Sequence, residues 1–306
     1  MRASRGHERG GGCGDKGDIP LRTNPLVGTC QEMCPVRERQ WPKADRNKTV
    51  KQFSRSAAGH RQASPDELRP SHVLLKTTTY LMRTIAPSCC DDSWTDTYHF
   101  VWDRLWSVRQ DMTIQDLNGS DCIEILEHAV RFYIYAAFRC FEEDISAFDP
   151  HINNQHLQEC LKRLLVQYQH CALEQYVNRQ EMEAVYILHN LGSFEALAHA
   201  MSLPKELRSH SLVNIALDTS LAHRRGNFIR VLRNYRSLPF LLACTLHPHL
   251  ELIRRQVFAK MNGSLSIKPA SRVSSSGYHN TPSHCPSHTS GKVIYTLPNV
   301  ANTHKK

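Results

Sequence analysis

The stretch ILEHAVRFYIYAAFRCF, residues 125–141, places apolar residues at helical spacing along one face for about five turns. The members of this stripe are Ile125, Leu126, Ala129, Val130, Tyr133, Ile134, Ala137, Phe138 and Phe141. Because a helix with such a long apolar face must bury it against neighbouring elements, the stretch predicts a packed core helix.

The same helical spacing recurs from Ser71 to Met261, and we find no clear strand alternation there. A second stripe runs through residues 152–168, where Glu159 is placed to pair with Arg163 one turn later. Further helices are predicted at 71–86, 94–116, 180–191, 194–201, 205–223, 227–236 and 248–261. Short joins containing Gly or Pro separate them, so we predict an all-α fold of stacked helical hairpins.

Composition divides the chain into four parts. Residues 1–26 are basic, rich in Gly and Arg, and predicted to be disordered. Residues 27–63 lead into the helical domain and include a polar helix candidate, RNKTVKQFSRS (46–56). The helical domain spans 64–261. Residues 262–306 form a Ser/His/Pro-rich tail, also predicted to be disordered, in which only KVIYTL (292–297) has strand character.

Charge is distributed unevenly along the chain. Residues 63–219 carry 12 Lys and Arg against 22 Asp and Glu, whereas residues 220–260 carry 8 against 1. The first 62 residues carry 13 against 6, and the tail from 261 carries 5 against none. Because clustered positive charge attracts polyanions, nucleic acid is a candidate partner for part of the surface.

The longest apolar runs, such as LPFLLACTL (238–246), are much shorter than the roughly 20 residues of a membrane span. A secretory signal would require an apolar stretch after the N-terminal arginines, and the sequence has none there. The 11 cysteines are an odd number and lie mostly in helical segments, which favours free thiols in a reducing compartment. We therefore predict a nuclear or cytoplasmic protein without a membrane anchor.

Cys30 and Cys34 allow three interpretations: two zinc ligands, a redox pair, or small apolar fillers around Met33 with Pro35 starting a helix. A closed zinc site needs two more Cys or His ligands at a comparable spacing; none stands near, and Cys89-Cys90 is too tight for a typical pair of ligands. His247, His249 and the four histidines of the tail also suggest metal binding, but no metal motif accompanies them and we favour solvated or capping side chains. A redox pair normally has the spacing Cys-x-x-Cys. The structural interpretation is favoured.

No arrangement of a nucleophile, a base and an oxyanion donor stands at a recognisable spacing, and no phosphate-binding glycine loop is present. The sequence thus predicts neither an enzyme nor a cofactor; a zinc-dependent enzyme is the weakest alternative.

Two predicted helices carry arginines for which a role can be proposed. Arg109 lies at the edge of an apolar face formed by residues such as Trp102 and Leu105, so it must reach water or pair with a carboxylate. We favour pairing, which would fix helix register. The most basic helical stretch carries Arg224, Arg225, Arg230, Arg233 and Arg236. These guanidinium groups suit phosphate contact, and an ordinary solvated face is the alternative.

Four ordered blocks, GTCQEMCPVRER (28–39), RPSHVLLKTTTYLM (69–82), YHFVWDRLWSVRQDMTIQ (98–115) and EHAVRFYIYAAFR (127–139), resemble the SAC/GANP family of mRNA-export scaffolds. The likeness covers about residues 27–260 and extends to short animal members associated with centrosomes and spindles. Its motif residues in this chain are Cys30, Met33, Cys34, Pro35, Trp102, Arg104, Trp106, Arg109, Gln110 and Asp111.

The resemblance implies a PCI- or TPR-like helical solenoid followed by a winged helix, a PCI-domain partner with a small acidic subunit, and RNA contact. It implies no metal role for Cys30 and Cys34. After Met261 the tail departs from the family pattern, so we expect an incomplete winged helix and exposed apolar surface around Leu252, Val257 and Phe258. The resemblance leaves open an export role or a role in centrosome duplication and spindle assembly.

Overall fold

The computed structural model describes residues 26–39, 50–54, 63–88, 94–169 and 177–264. Every regular element in these ranges is a helix, which confirms the predicted all-α fold. The α-helices are α1 Val36–Arg39, α2 Ser71–Tyr80, α3 Trp94–Ile114, α4 Ser120–Arg139, α5 Pro150–Gln169, α6 Arg179–His189, α7 Phe194–Ser202, α8 Lys205–Ser209, α9 Ser211–Arg224, α10 Phe228–Tyr235, α11 Phe240–Leu246 and α12 Leu250–Ser264.

Several predicted features lie outside the described residues: the basic N-terminal segment, the Cys89-Cys90 pair and the strand candidate KVIYTL. Because the described ranges contain no strand, a complete winged helix with its β-wing does not lie within them.

Helix α4 forms the centre of the first half of the helical body. It packs against α2, α5 and α11, and Leu126, Val130 and Tyr133 are fully buried. Contact on three sides explains why Cys122 and Phe132, outside the predicted stripe, are buried as well. The stripe does not extend as far as predicted, because α4 ends at Arg139 and Phe141 is partly exposed in the following turn.

The second half is built around α6 and α9, which pack against each other. Helices α7, α8 and α10 lie against α9, while α11 contacts both α4 and α6. Through α11, and through the contact of α5 with α6, the two halves share one continuous apolar core. Gly192 lies in the turn after α6, and Gly226 lies in the turn after α9. Their φ values are 74° and 69°, the left-handed conformation that glycine commonly adopts after a helix.

The structure differs from the predicted helices in three places. The helix predicted at 205–223 is two helices, because His210 is extended (φ −61°, ψ 140°) between α8 and α9. Helix α11 was missed, since its seven residues are nearly all apolar and show no amphipathic period. The candidate helix at 46–56 is not helical in its described part, residues 50–54.

The described cysteines are free thiols, and five of the six are buried, as the sequence predicted. Among the described residues, no helix combines the length and apolar character needed to cross a bilayer.

Candidate functional site

A buried ion pair between Arg69 and Asp111 joins the segment before α2 to helix α3. Arg69 Nε lies 2.8 Å from Asp111 Oδ2, and both side chains have no exposed surface. Arg69 Nη2 also donates to Ser107 Oγ at 2.9 Å, and Nη1 donates to the Met33 carbonyl at 3.3 Å. Desolvating two charges is expensive, so the pair is stable only because these additional hydrogen bonds satisfy it.

Lys51 is a second cation that binds the same carboxylate. Its Nζ lies 2.6 Å from Asp111 Oδ1 and donates to the Glu67 carbonyl at 2.7 Å. Its backbone N–H donates to the Met33 carbonyl at 3.0 Å. Two cations thus share one buried anion, and residues 50–54 are tied to both α3 and the segment around Met33.

Residues 50–54 also bury apolar and aromatic surface on α3. Val50 is buried, and the Phe53 ring stacks on Trp106 with centroids 3.6 Å apart. Gln110 Nε2 donates to the Ser54 carbonyl at 2.8 Å. The family motif residues Trp106 and Gln110 therefore hold this extended segment in place.

Residues 28–34 attach to a polar row formed by Ser107 and Asp111 of α3 and by Gln115, which directly follows this helix. The Gly28 N–H donates to Gln115 Oε1 at 2.8 Å, and Gln115 Nε2 donates to the Arg69 carbonyl at 2.9 Å. The Cys30 N–H donates to the Leu68 carbonyl at 3.0 Å. A Cβ on Gly28 would lie 2.5 Å from the Leu68 oxygen, so only glycine permits this close approach. We call residues 28–34 and 50–54 together the N-terminal strap.

The cysteines of the strap have structural surroundings. Cys34 is buried, and burial raises the pKa of its thiol to about 11, so it stays protonated. Cys30 Sγ contacts the Glu32 carbonyl at 3.3 Å. Pro35 precedes α1 and accepts hydrogen bonds from its amides. Within the described ranges, no three His, Cys, Asp or Glu side chains are grouped to hold a metal ion.

Trp102 and Trp106 of α3 form an aromatic cluster with His156 of α5. Their rings meet edge to face at 5.0 Å, and each contacts the His156 ring of α5. Arg104 donates to Asp103 at 2.8 Å and covers the Phe100 ring at 4.2 Å. Trp102 and Trp106 therefore pack α3 against α5, whereas these contacts of Arg104 are made within α3.

Arg109 pairs with a carboxylate, in the manner favoured from the sequence. Its Nη2 contacts Glu159 of α5, and its Nη1 donates to His156 Nδ1 at 2.7 Å. Burial, and then the charge of Arg109, lowers the pKa of His156 to about 4, so the ring is neutral and Nδ1 accepts this bond. Arg163, the predicted partner of Glu159, instead donates to the Leu117 carbonyl at 2.9 Å.

Sequence reasoning named Asp111 but missed its partners. Arg69 and Lys51 lie outside α3, and no periodicity argument connects them with it. One signal was available: Ser107, Asp111 and Gln115 recur every fourth residue beside an apolar face, and all three are buried. A polar row at that position indicates a buried hydrogen-bond network.

The five arginines predicted to contact nucleic acid all lie on the surface of α9, α10 and the turns after them: Arg224, Arg225, Arg230, Arg233 and Arg236. On the other face of α10, Phe228 and Val231 are buried. The amphipathic division of this helix is therefore as predicted, while RNA contact stays a prediction.

The arginines differ in their availability. Arg230 pairs with Asp218 of α9, with Nη2 2.7 Å from Oδ1, and Arg224 donates to the Gly192 carbonyl at 3.3 Å. Partial burial acts to raise the pKa of Asp218, but hydrogen bonds from Asn234 and Arg230 overcome it and lower this pKa. Arg230 is thus already neutralised by an ionised carboxylate.

Arg225, Arg233 and Arg236 make no ion pair with any residue that the structure describes. Lys260 of α12 joins this surface, since its Nζ donates to the Gly226 carbonyl at 2.8 Å and lies 4.7 Å from the Phe228 ring centroid. The sequence did not indicate Lys260 because it is 34 residues from Gly226.

We expect Asp111→Asn to destabilise the protein by about 3–5 kcal/mol, because the buried charge of Arg69 and the part-buried charge of Lys51 would be left without a counter-ion. Urea denaturation followed by circular dichroism measures this change. The matched control is Asp218→Asn, which breaks a partly exposed pair and should cost no more than about 1 kcal/mol. Equal stabilities of the two variants would contradict the role assigned to Asp111.

A known protein family and several known proteins are similar to this chain over most of the residues described above. The family profile described as the SAC3/GANP family matches residues 29–277. Protein xmas of Drosophila melanogaster is 30% identical over 255 residues, covering 74% of this chain and 12% of that protein. SAC3 family protein 1 of Schizosaccharomyces pombe is 27% identical over 274 residues, covering 77% of this chain and 26% of that protein.

SAC3 family protein B of Arabidopsis thaliana is 27% identical over 281 residues, covering 81% of this chain and 16% of that protein. The chain thus spans about a quarter or less of the length of these relatives. The profile match includes the strap except Gly28, the polar row at 107–115 and all the helices that follow. The chain belongs to the SAC3/GANP family.

Proposed function

We propose that the chain is a non-catalytic helical scaffold that acts in nuclear mRNA export and resides in the nucleus and cytoplasm. Family membership is the observation that carries this proposal. The continuous core shared by both halves supports it, because a rigid helical body presents outer faces to other macromolecules.

The proposed partner is a PCI-domain protein accompanied by a small acidic subunit, as the family resemblance implies. Two surface features support such a partner. Leu252 and Phe258 are exposed on α12, as expected from the sequence, and offer apolar contact area. Val257, expected to be exposed with them, is half-buried against the core. The net positive charge of residues 220–260 would attract an acidic subunit.

We expect affinity purification of the tagged full chain from cells to recover a PCI-domain protein together with a small acidic protein. The informative variant is Leu252→Asp/Phe258→Asp, which should lose them, because it places charge on the proposed contact. The control is Val36→Asp/Val166→Asp, which changes two exposed valines elsewhere. Recovery of no PCI-domain protein with the unmodified chain would contradict the proposal.

A second setting for the same scaffold is centrosome duplication and spindle assembly, which the resemblance to short animal members supports. Imaging the tagged chain through the cell cycle distinguishes the two settings. Residence in the interphase nucleus and at its envelope favours export, whereas accumulation at centrosomes and spindle poles favours the mitotic role.

RNA binding through the surface of α9 and α10 is a separate candidate function. The exposed, unpaired state of Arg225, Arg233 and Arg236 within the described structure supports it. Guanidinium groups in this state are free to contact phosphates, whereas Arg230 would first have to leave Asp218.

We expect the triple variant Arg225→Ala/Arg233→Ala/Arg236→Ala to weaken binding of single-stranded RNA and to reduce the slope of log affinity against log salt by about 2. The control is Arg37→Ala/Arg83→Ala/Arg255→Ala, which removes the same charge elsewhere. Fluorescence anisotropy across a salt series measures both. An unchanged slope in the first variant, or equal slopes in the two, would eliminate this function.

A further inference from the structure

A cavity of about 420 Å³ opens where the ends of α4, α5, α6 and α11 meet. Its wall is mostly apolar and includes Ile134, Ala137, Phe148, Leu157, Cys244 and Pro248. This volume falls within the range of cavities that hold a ligand or large side chains. Two of these wall residues, Ile134 and Ala137, belong to the family block at 127–139, and none of the five arginines lines the cavity.

Two apolar side chains extend the cavity to the surface. Both belong to the connection between α4 and α5, and both also line the cavity. Ile145 is 77% exposed and Phe141 is 43% exposed. The Phe141 ring is supported edge to face by His247, with centroids 4.7 Å apart. A supported aromatic ring beside an exposed isoleucine at a cavity mouth is typical of a protein-binding surface.

One edge of this mouth is acidic, and we call it the rim. Glu143 lines the cavity, and Glu142 and Asp144 flank it in the sequence. All three are exposed, and none makes an ion pair with a residue in the described ranges. Asp149 is engaged differently, since its carboxylate caps α5 by accepting from the His151 N–H at 2.8 Å. The neighbouring cation, Arg139, lies over the Trp94 ring at 5.2 Å. The three rim carboxylates therefore repel polyanions and attract cations.

We propose that this cavity is a docking site for a basic peptide segment of another protein, which inserts an apolar side chain between Phe141 and Ile145 while its Lys or Arg residues face Glu142, Glu143 and Asp144. The apolar wall supplies the anchor pocket, and the rim selects partners by charge. The inference goes beyond the proposed scaffold role and RNA binding, because it assigns a partner chemistry of opposite sign to a different surface.

The direct test is a synthetic peptide library with a fixed central Phe or Leu and randomised flanking positions, screened against the full chain. We expect the selected peptides to be enriched in Lys and Arg at the flanks, and replacement of their central residue by Ala to weaken binding at least tenfold. No flank enrichment, an enrichment in Asp and Glu, or tolerance of the Ala replacement would overturn the proposal.

Two matched pairs of variants locate the binding. Glu142→Lys/Glu143→Lys should weaken a selected peptide about tenfold, whereas Glu195→Lys/Glu206→Lys, which changes net charge equally at exposed acids of α7 and α8, should leave it unchanged. Ile145→Ser should also weaken it, and Ile229→Ser, at an exposed isoleucine of α10, should not.

Equal effects within either pair would overturn the proposed location. A loss of affinity for an RNA oligonucleotide in the variant Ile145→Ser would also overturn the proposal, because the occupant of the cavity would then be a nucleic acid. Failure of this docking site would leave the purification and RNA measurements unaffected, because they report on α12 and on the arginines of α9 and α10.

Discussion

The Asp111 carboxylate is the point on which the N-terminal part of the structure depends. It accepts from Lys51 and Arg69, and Arg69 in turn binds the Met33 carbonyl. Three segments distant in sequence are thus joined at one buried anion of α3. Because each charge would be unstable here without the others, the strap and the helical body must fold together.

The helical body itself depends on two elements, α4 and α11. Helix α4 is surrounded on three sides, and α11 connects it with α6. Around this core the chain presents surfaces of opposite sign: exposed arginines on α9 and α10, and exposed carboxylates between α4 and α5. The uneven charge along the sequence is therefore expressed as separate surfaces, which suits a scaffold that binds several unlike partners.

Much of the fold could be predicted from the sequence because amphipathic periodicity reports burial on one side of a helix. Periodicity does not predict a helix that is apolar on nearly all sides, or a segment that is held by contacts with another element. Helix α11 is apolar on all sides, and the break at His210 has no Gly or Pro. Residues 50–54 are fixed by side-chain contacts with α3 rather than by local propensity.

The site residues show the same division. The exposure of Arg230, Arg233 and Arg236 followed from their recurrence at every third residue along α10. The partner of Glu159 was predicted wrongly because i,i+4 pairing considers one helix only. Arg109 of α3 pairs with Glu159 of α5, and its Nη1 also donates to His156 of α5. The cavity between four helix ends was not predictable, since it arises from packing of segments distant in sequence.

Hydrogen exchange measured by mass spectrometry tests most directly whether the strap is part of the folded body. The Gly28, Cys30 and Lys51 amides donate to Gln115, Leu68 and Met33. We expect peptides containing these amides to be protected and to lose protection together with α3. Exchange of these peptides at the rate of an unstructured chain, while α3 and α4 remain protected, would contradict the central role of Asp111.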